Sequence, residues 1–375
     1  MIKVLHVVES FGGGVQTYFS GLLNEVSKEV SVQCTLAYSC REETVYSDIR
    51  NIPKNISLVE LPTLYDNKSF VSNVKWFLIV YRLIKNNGYD VIHFHSSKAG
   101  AMGRLACLFL GVRRHFYTPH GYSFLRQDIS AFSRSIFMTA ERLLNVISGG
   151  VVVACSASEG KYAKKCWAKK VTVVDNAVQM DKLVIDVEEF SSVQSVCTKK
   201  LRVGIVGRVT SARNPDLFIQ IFEYFKVRYP GSIEFVWVGD GEPTFTKSLK
   251  KVGVELTGWV SRDAALTYMA GFDIYIQTSL WEGMPYSVIE AQCIGIPVVA
   301  SNIIGNKDIV VNGKSGYLAN SYSDFISSIE SLLDEETRIE MSKYAFLYAR
   351  KRFSTVNQMQ RFMELYLSKE GGTEL

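Results

Sequence analysis

The sequence predicts an α/β protein built from two doubly wound parallel-sheet domains, and three observations predict it. Short β-branched apolar runs such as Val4–Val8, Val91–His95, Val151–Ala154 and Ile274–Gln277 are continuous, not alternating, as strands buried on both faces are. Longer helix-like stretches separate these runs in both halves, the order that a parallel sheet with crossover helices requires. At 375 residues the chain is too long for one ordinary core and long enough for two.

Taken in order, the first half offers strands at Val4–Val8, Val32–Leu36, Val91–His95, His115–Thr118 and Val151–Ala154. Helix-like stretches Gln16–Lys28, Val74–Lys85, Lys98–Leu110 and Phe132–Ile147 lie between them. The second half reads as strands Leu201–Gly207, Ile233–Gly239, Glu255–Leu256, Ile274–Gln277 and Val298–Ala300, separated by helices near Leu217–Tyr229, Ala264–Ala270 and Tyr286–Ile294. After Ala300 the pattern turns helical, over Asp324–Leu333, Glu336–Arg350 and Val356–Leu367. The boundary is expected between Asp181 and Lys200, where Val187–Ser195 is polar, serine-rich and weakly periodic. The domains are therefore set at 1–185 and 186–350, with 351–375 as a C-terminal helix and a frayed tail at Lys369–Leu375.

Composition excludes several classes. With 47% hydrophobic and 21% charged residues the chain is neither disordered nor fibrous. A net charge of +5 without a clear patch gives no reason to expect nucleic acid as a partner. The seven cysteines (Cys34, Cys40, Cys107, Cys155, Cys166, Cys197 and Cys293) are scattered and lack metal-ligand spacing, which fits a reducing compartment. Met1 leads straight into a strand-like run, so no signal peptide is expected. The most apolar helical stretch, Trp76–Ile84, contains Arg82 and is too short to span a bilayer. A soluble cytoplasmic protein, at most peripheral at a membrane, is expected.

Parallel sheets bind ligands beyond the carboxyl ends of their strands, so the residues following each strand are the candidates. After the first strand, Gly12-Gly13-Gly14 precede a helix and permit either close approach of an anion or simply a tight turn. The pattern is not GxGxxG, and no acidic residue ends the next strand, which disfavours a dinucleotide. All five histidines (His6, His93, His95, His115 and His120) fall in the first half. His93 and His95 are expected on opposite faces of their strand, which speaks against a shared metal and for satisfied core histidines. His120 sits in the rigid Thr118-Pro119-His120-Gly121 turn, where a substrate contact is favoured over a structural role.

In the second half, Gly207-Arg208 ends a strand and Arg213 follows shortly, two guanidiniums suited to a diphosphate. Ser279–Ala291 is the most informative stretch. Pro285 is placed to open a helix, which puts the Gly283–Tyr286 backbone at a phosphate-attracting helix start. Glu290 lies about a turn and a half inside an otherwise apolar helix, where a carboxylate needs hydrogen-bond donors such as vicinal hydroxyls. A cap at Glu282 and an internal ion pair at Glu290 are the equally open alternative.

The pair Glu282 and Glu290 in EGMPYSVIEAQCIGIPVVAS resembles the E-x7-E signature of retaining glycosyltransferases of family 4. FGGGVQTY, DVIHFHSSKAGAMGRLA, TPHG, VVVACSASE, GIVGRV, VGDGE, TGWV and GKSGYL extend the resemblance over nearly the whole chain. It implies the GT-B fold, two Rossmann-like domains facing across a cleft, and a nucleoside-diphosphate sugar donor. By that likeness Glu290 binds the ribose hydroxyls, and Glu282 holds the donor sugar. The segment Gly283, Met284, Pro285 and Tyr286 meets the diphosphate through its backbone N–H groups, which Pro285 lacks, aided by Gly207, Arg208 and Arg213. His120 contacts the transferring sugar above Gly13 and Gly14, Trp259 and Val260 lie beside the base, and Ser156 marks the serine after the last strand of the first domain. The catalytic group is thus Glu282, His120, Arg208 and Arg213. Departures are Arg213 for a usual Lys, Asn176-Ala177 for Asn-Gly, and Asp308 for a Glu.

The chemistry implied is displacement of a nucleoside diphosphate by an acceptor hydroxyl with retained configuration, a task of positioning and charge stabilisation. Eight helical residues separate the two glutamates by roughly 12 Å, whereas retaining hydrolases want about 5 Å. No acidic metal cage is evident, so neither metal nor cofactor is expected. UDP-sugar is favoured as donor, with GDP-sugar the alternative and a hexosyl or N-acetylhexosaminyl group transferred. A sugar-nucleotide 2-epimerase of the same architecture and a degenerate partner subunit are the competing readings. The stretches Tyr122–Arg142 (Phe124, Arg126, Phe132, Arg134, Phe137, Arg142) and Lys161–Lys170 are basic and aromatic. They are either solvated faces or a surface for anionic lipid that receives a polyprenyl-diphosphate-linked glycan acceptor, as in surface-polysaccharide synthesis.

Overall fold

The computed structural model describes residues 1–40, 44, 46–63, 70–183 and 200–368. The expected linker Val187–Ser195, the tail Lys369–Leu375 and Cys197 lie outside the described residues. Among those described, thirteen strands run in chain order: β1 Ile2–Phe11, β2 Val32–Cys40, β3 Ser57–Glu60, β4 Val91–His95, β5 His115–Thr118, β6 Val151–Ala154, β7 Val171–Val173, β8 Leu201–Val206, β9 Ile233–Val238, β10 Glu255–Leu256, β11 Ile274–Gln277, β12 Val298–Ser301 and β13 Gly316–Ala319. They form two sheets, ordered β3-β2-β1-β4-β5-β6-β7 and β10-β9-β8-β11-β12-β13. Every ladder is parallel. Each sheet starts in its middle and winds outward twice, which is the doubly wound order.

The chain divides into two compact units, Met1–Ala177 with the chain from Thr355 on, and Val178–Ser354. At the two crossings, Val178 N–H donates to the Phe353 carbonyl at 2.8 Å within the second unit. The central strands β4, β5, β6 and β11 are buried along their whole length, because helices cover both faces. That burial explains why their sequences are continuous apolar runs.

In the first unit, Trp76, Val80 and Ile84 of helix Phe70–Asn87 enter the core, and the Trp76 indole N–H reaches Ser39 Oγ at 3.2 Å. Gly103 of helix Ser97–Leu110 lies so close to the sheet that a Cβ there would sit 2.2 Å from the Phe94 ring. Arg104, one residue on, is fully buried yet compensated. It binds Glu141 at 2.7 Å, Asn145 at 2.8 Å and the Gly100 carbonyl at 2.9 Å, over the Tyr117 ring.

Three strands escape the apolar-run criterion. β3 lies at the outer edge of its sheet and is mostly exposed, and β7 spans only three residues. β13 overturns the expectation of purely helical structure after Ala300: it pairs with β12 from Val298↔Gly316 to Ser301↔Ala319. The last helix, Thr355–Leu367, packs on helix Gly14–Val26 of the first unit, and its Gln358 side chain donates to the Asp175 carbonyl at 2.9 Å.

Candidate functional site

In the second unit the loops at the carboxyl ends of β8, β9 and β10 are laced together. Bridges join Val209 to Gly241 and Gly239 to Gly258, and Thr257 Oγ1 accepts the Gly239 N–H at 3.1 Å. Gly207 has φ +140°, and a Cβ on it would sit 2.9 Å from the Arg213 guanidinium. Glycine here lets Arg213 lie across the strand end. The turn Ser211–Arg213 is closed by Asn214 in the left-handed region (φ 51°), whose side chain caps helix Pro215–Arg228. Arg208 is exposed beside Gly207.

Arg213 Nε faces Glu282 Oε1 at 3.5 Å, both side chains about one-fifth exposed. The same carboxylate oxygen accepts from Gln277 Nε2 at 2.9 Å and Ser279 Oγ at 2.8 Å. Glu282 is therefore aimed from the end of β11 and is not the cap of the helix that follows. That helix runs Tyr286–Cys293, with Pro285 at its N-cap in an extended conformation and making no capping bond from its own side chain. Pro285 thus precedes the first turn and does not occupy it, one residue away from expectation. Met284 is buried, while Gly283 and Tyr286 are partly exposed. Gly305 (φ +85°) approaches so closely that a Cβ would lie 2.5 Å from the Gly283 carbonyl, and Asp308 holds this loop by accepting the Gly305 N–H at 3.1 Å.

Glu290 is 6% exposed and paired with Arg262 Nη2. Burial pushes its carboxyl up from the ordinary glutamate range, and Arg262 opposes the shift. The internal ion pair left open by the sequence is realised here, with a cation that sequence reasoning missed. Arg262 begins helix Arg262–Ala270, and its own side chain is 40% exposed. Trp259 is 65% exposed next to the partly exposed Val260.

In the first unit Gly13 (φ 55°) turns the chain from β1 into helix Gly14–Val26, standing at its N-cap with no side chain to offer, and Gly13 and Gly14 are exposed. His120 stands at φ +54° before Gly121 at φ +93°, a costly backbone for a non-glycine residue. Glu159 holds the turn in place. Its carboxylate accepts the Gly121 N–H and the Cys155 N–H, each at 2.7 Å, while Ser156 caps helix Ala157–Lys165 by accepting the Glu159 N–H at 3.2 Å. Ser156 and Glu159 stand in S-x-x-E spacing, a capping signal that could have revealed this carboxylate.

The histidines depart from expectation. Residues two apart on a strand share a face, and the His93 and His95 rings stack at 4.2 Å. With His6 they bring ligand atoms within 4.8 Å of one another. Hydrogen bonds occupy every nitrogen of the three rings except His6 Nε2: His6 Nδ1 meets His95 Nε2 at 2.9 Å, and His95 Nδ1 meets His120 Nε2 at 3.0 Å. His93 contacts Tyr366 Oη at 2.6 Å and Thr118 Oγ1 at 2.8 Å. The Tyr18 ring lies edge-on to His120 at 4.7 Å, so the helix after the glycines touches the same turn. Burial lowers His6 and His120 to about 3 and holds His93 and His95 well below the usual imidazole value, with neighbouring histidines adding to the effect on those two.

Comparison with known proteins matches a family model to each half of the chain. The Glycosyltransferase Family 4 model matches residues 12–182 and the Glycosyl transferases group 1 model matches 200–335. An Escherichia coli protein named UDP-Gal:alpha-D-GlcNAc-diphosphoundecaprenol alpha-1,3-galactosyltransferase is 28% identical, over 98% of this chain and 97% of its own. An uncharacterized 41.2 kDa protein from the cps region of Klebsiella pneumoniae is 25% identical over 98% and 100%. Anabaena HepE, solved with UDP, superposes with a TM-score of 0.76 at 18% identity, covering 97% of this chain and 99% of that one. The fold is GT-B.

Histidines held neutral in the fold, yet free to protonate near pH 6.5 when unfolded, bind more protons in the unfolded chain between those pH values. Their contribution is full above about pH 6.5 and drains as pH falls toward the folded values, by up to about 1.4 kcal/mol per pH unit for each. Thermal melts at pH 7.5 and pH 5.0 should therefore differ by at least about 5 °C, the acid sample melting first. Coincident melts would contradict the neutral cluster.

Proposed function

We infer that this chain, which joins a glycosyltransferase family 4 domain to a glycosyl transferases group 1 domain, moves a sugar from a nucleoside-diphosphate donor to a lipid-linked acceptor hydroxyl, with retention of configuration, in bacterial surface-polysaccharide synthesis. The observation that carries this reading is the Arg213–Glu282 pair laid over Gly207 beside the start of helix Tyr286–Cys293. Arg208, Arg213 and the amides around Gly283–Tyr286 supply positive potential for a departing diphosphate. Glu282, already oriented by Gln277 and Ser279, accepts from a donor-sugar hydroxyl. Glu290 exchanges part of its contact with Arg262 for ribose hydroxyls. Trp259 and Val260 lie beside the base. His120, with Gly13 and Gly14 below, meets the transferring sugar. These groups act by charge and position, and the reaction we propose needs neither metal nor cofactor.

A UDP-sugar is the favoured donor, supported by the UDP-galactose in the name of the E. coli relative and the UDP bound to HepE. That relative's name also supports a polyprenyl-diphosphate-linked acceptor. A surface suited to such an acceptor exists on the first unit. Helix Ala131–Ile147 exposes Phe132, Ile136 and Phe137, and Trp167 is exposed beneath the Arg142 guanidinium, among exposed Lys161, Lys164, Lys165, Lys169 and Lys170. Phe124, in contrast, is core, and Arg126 is paired with Asp128. No described helix is long and apolar enough to cross a membrane. Contact is proposed at the membrane's cytoplasmic face, by aromatic side chains and lysines on anionic headgroups.

With sugar transfer to a lipid-linked acceptor as readout, Glu290→Ala should raise the donor KM and Glu282→Ala should lower kcat about 100-fold. Arg208→Ala should do both, because removing a charge-stabilising donor costs about 3 kcal/mol. Unchanged turnover in all three would remove the site assignment, and epimerised nucleotide sugar formed without an acceptor would favour the epimerase. Sedimentation with anionic liposomes at low salt should retain the protein. Charge reversal at Lys161, Lys164 and Lys165 should release it, and no binding, or no effect of reversal, would exclude this surface.

A further inference from the structure

We propose that His95, with His6 behind it, is a positioning residue that fixes the tautomer of His120, so that His120 presents Nδ1–H, and not a bare nitrogen, to a substrate oxygen. The proposal rests on the reading that His120 meets the transferring sugar. Its physical basis is a hydrogen-bond count. A neutral imidazole carries one N–H and one bare nitrogen. The two contacts His6 Nδ1···His95 Nε2 (2.9 Å) and His95 Nδ1···His120 Nε2 (3.0 Å) each need one proton. His95 has only one to give, so both bonds must run the same way.

Two orders satisfy the chain. In the outward order His6 donates to His95, His95 donates to His120, and His120 keeps its proton on Nδ1. In the inward order every proton moves to Nε2, and His120 offers only a lone pair. The far end decides between them. His6 Nε2 is buried and has no hydrogen-bond partner among the described residues. The outward order leaves a bare nitrogen there, whereas the inward order leaves a buried, orphaned N–H, the rarer defect in folded proteins. The surroundings keep the chain neutral. His6 and His95 are almost fully buried, and the His93 ring, itself engaged at both nitrogens, stacks on His95. Glu159 fixes the other side of the turn through Gly121 N–H, so His120 has little freedom to turn away from His95. The result is a preset donor at a loop that would otherwise be free to present either face.

Long-range proton–nitrogen correlation on the full-length protein, labelled with ¹⁵N-histidine at pH 7.5, reads each tautomer without needing activity. Outward order puts the proton on Nδ1 in His6, His95 and His120. His115, whose Nδ1 faces the Val112 carbonyl at 3.1 Å, joins them. At least four of the five histidines should then be Nδ1–H. Inward order allows that form at only His93 and His115, so a count of two or fewer overturns the proposal even with no variant made. A kinetic arm separates positioning from packing. His95→Phe should lower kcat about tenfold, the scale of one misdirected hydrogen bond, with the donor KM changed less. His95→Asn, whose amide N–H can replace Nδ1–H, should restore most of the loss. Equal kcat in His95→Phe and the unaltered protein would contradict the role. Failure to find any transferase activity would count against the functional reading while leaving the tautomer count to stand or fall alone.

Discussion

A parallel strand cannot reach its neighbour through a hairpin; the chain must cross the sheet and return, usually as a helix. In both units this constraint sends every strand end into a loop at one edge of the sheet, and most of those loops into the start of a helix. The turns after β1 and β5 gather the glycines and His120 in the first unit. The turns after β8, β9, β10 and β11 gather Gly207, Arg213, Trp259 and Glu282 in the second. Positive potential collects there because helix N-termini do. Anion chemistry at these edges is thus a consequence of topology before any particular side chain is chosen.

The side chains that were chosen are polar and partly withdrawn from water, so each must be partnered. Glu282 is held by Gln277 and Ser279, Glu290 by Arg262, His120 by His95, and the turn carrying His120 by Glu159. Such partners hold a group in one orientation at little reorganisation cost when a ligand arrives. They also carry risk, since losing one member strands a buried polar atom. The two units differ in kind: the second uses charge pairs, and the first uses neutral imidazoles that burial keeps from protonating.

Much of this was legible in the sequence. Ten of the thirteen described strands were read in the sequence, most of them as continuous apolar runs, since full burial on two faces leaves no alternation to misread. The strand β10, only Glu255-Leu256, was placed by its position between helices. The edge strand β3 and the short β7 carry no such run, and β13 hides in a glycine-led stretch. The positions of Glu282, Glu290 and His120 followed from family-like motifs at strand ends. Their partners did not: Arg262 and Gln277 lie in unremarkable sequence, and Tyr366 is brought by packing to His93, whose ring stacks on the His95 that meets His120. The misplacement of His93 and His95 on opposite faces was an error of period: i and i+2 share a face, and this one fact turns two isolated core histidines into part of a connected cluster.

The most direct measurement is calorimetric titration of nucleoside diphosphates into the unaltered protein and into Arg208→Ala, both with chelator present. One diphosphate should bind the unaltered protein at a single site, with UDP the favoured ligand, and should bind the variant at least about tenfold more weakly, as loss of a charge-assisted contact requires. Absence of binding by any nucleoside diphosphate, or equal affinity in the two proteins, would contradict a diphosphate held at the strand end of Gly207 and Arg208.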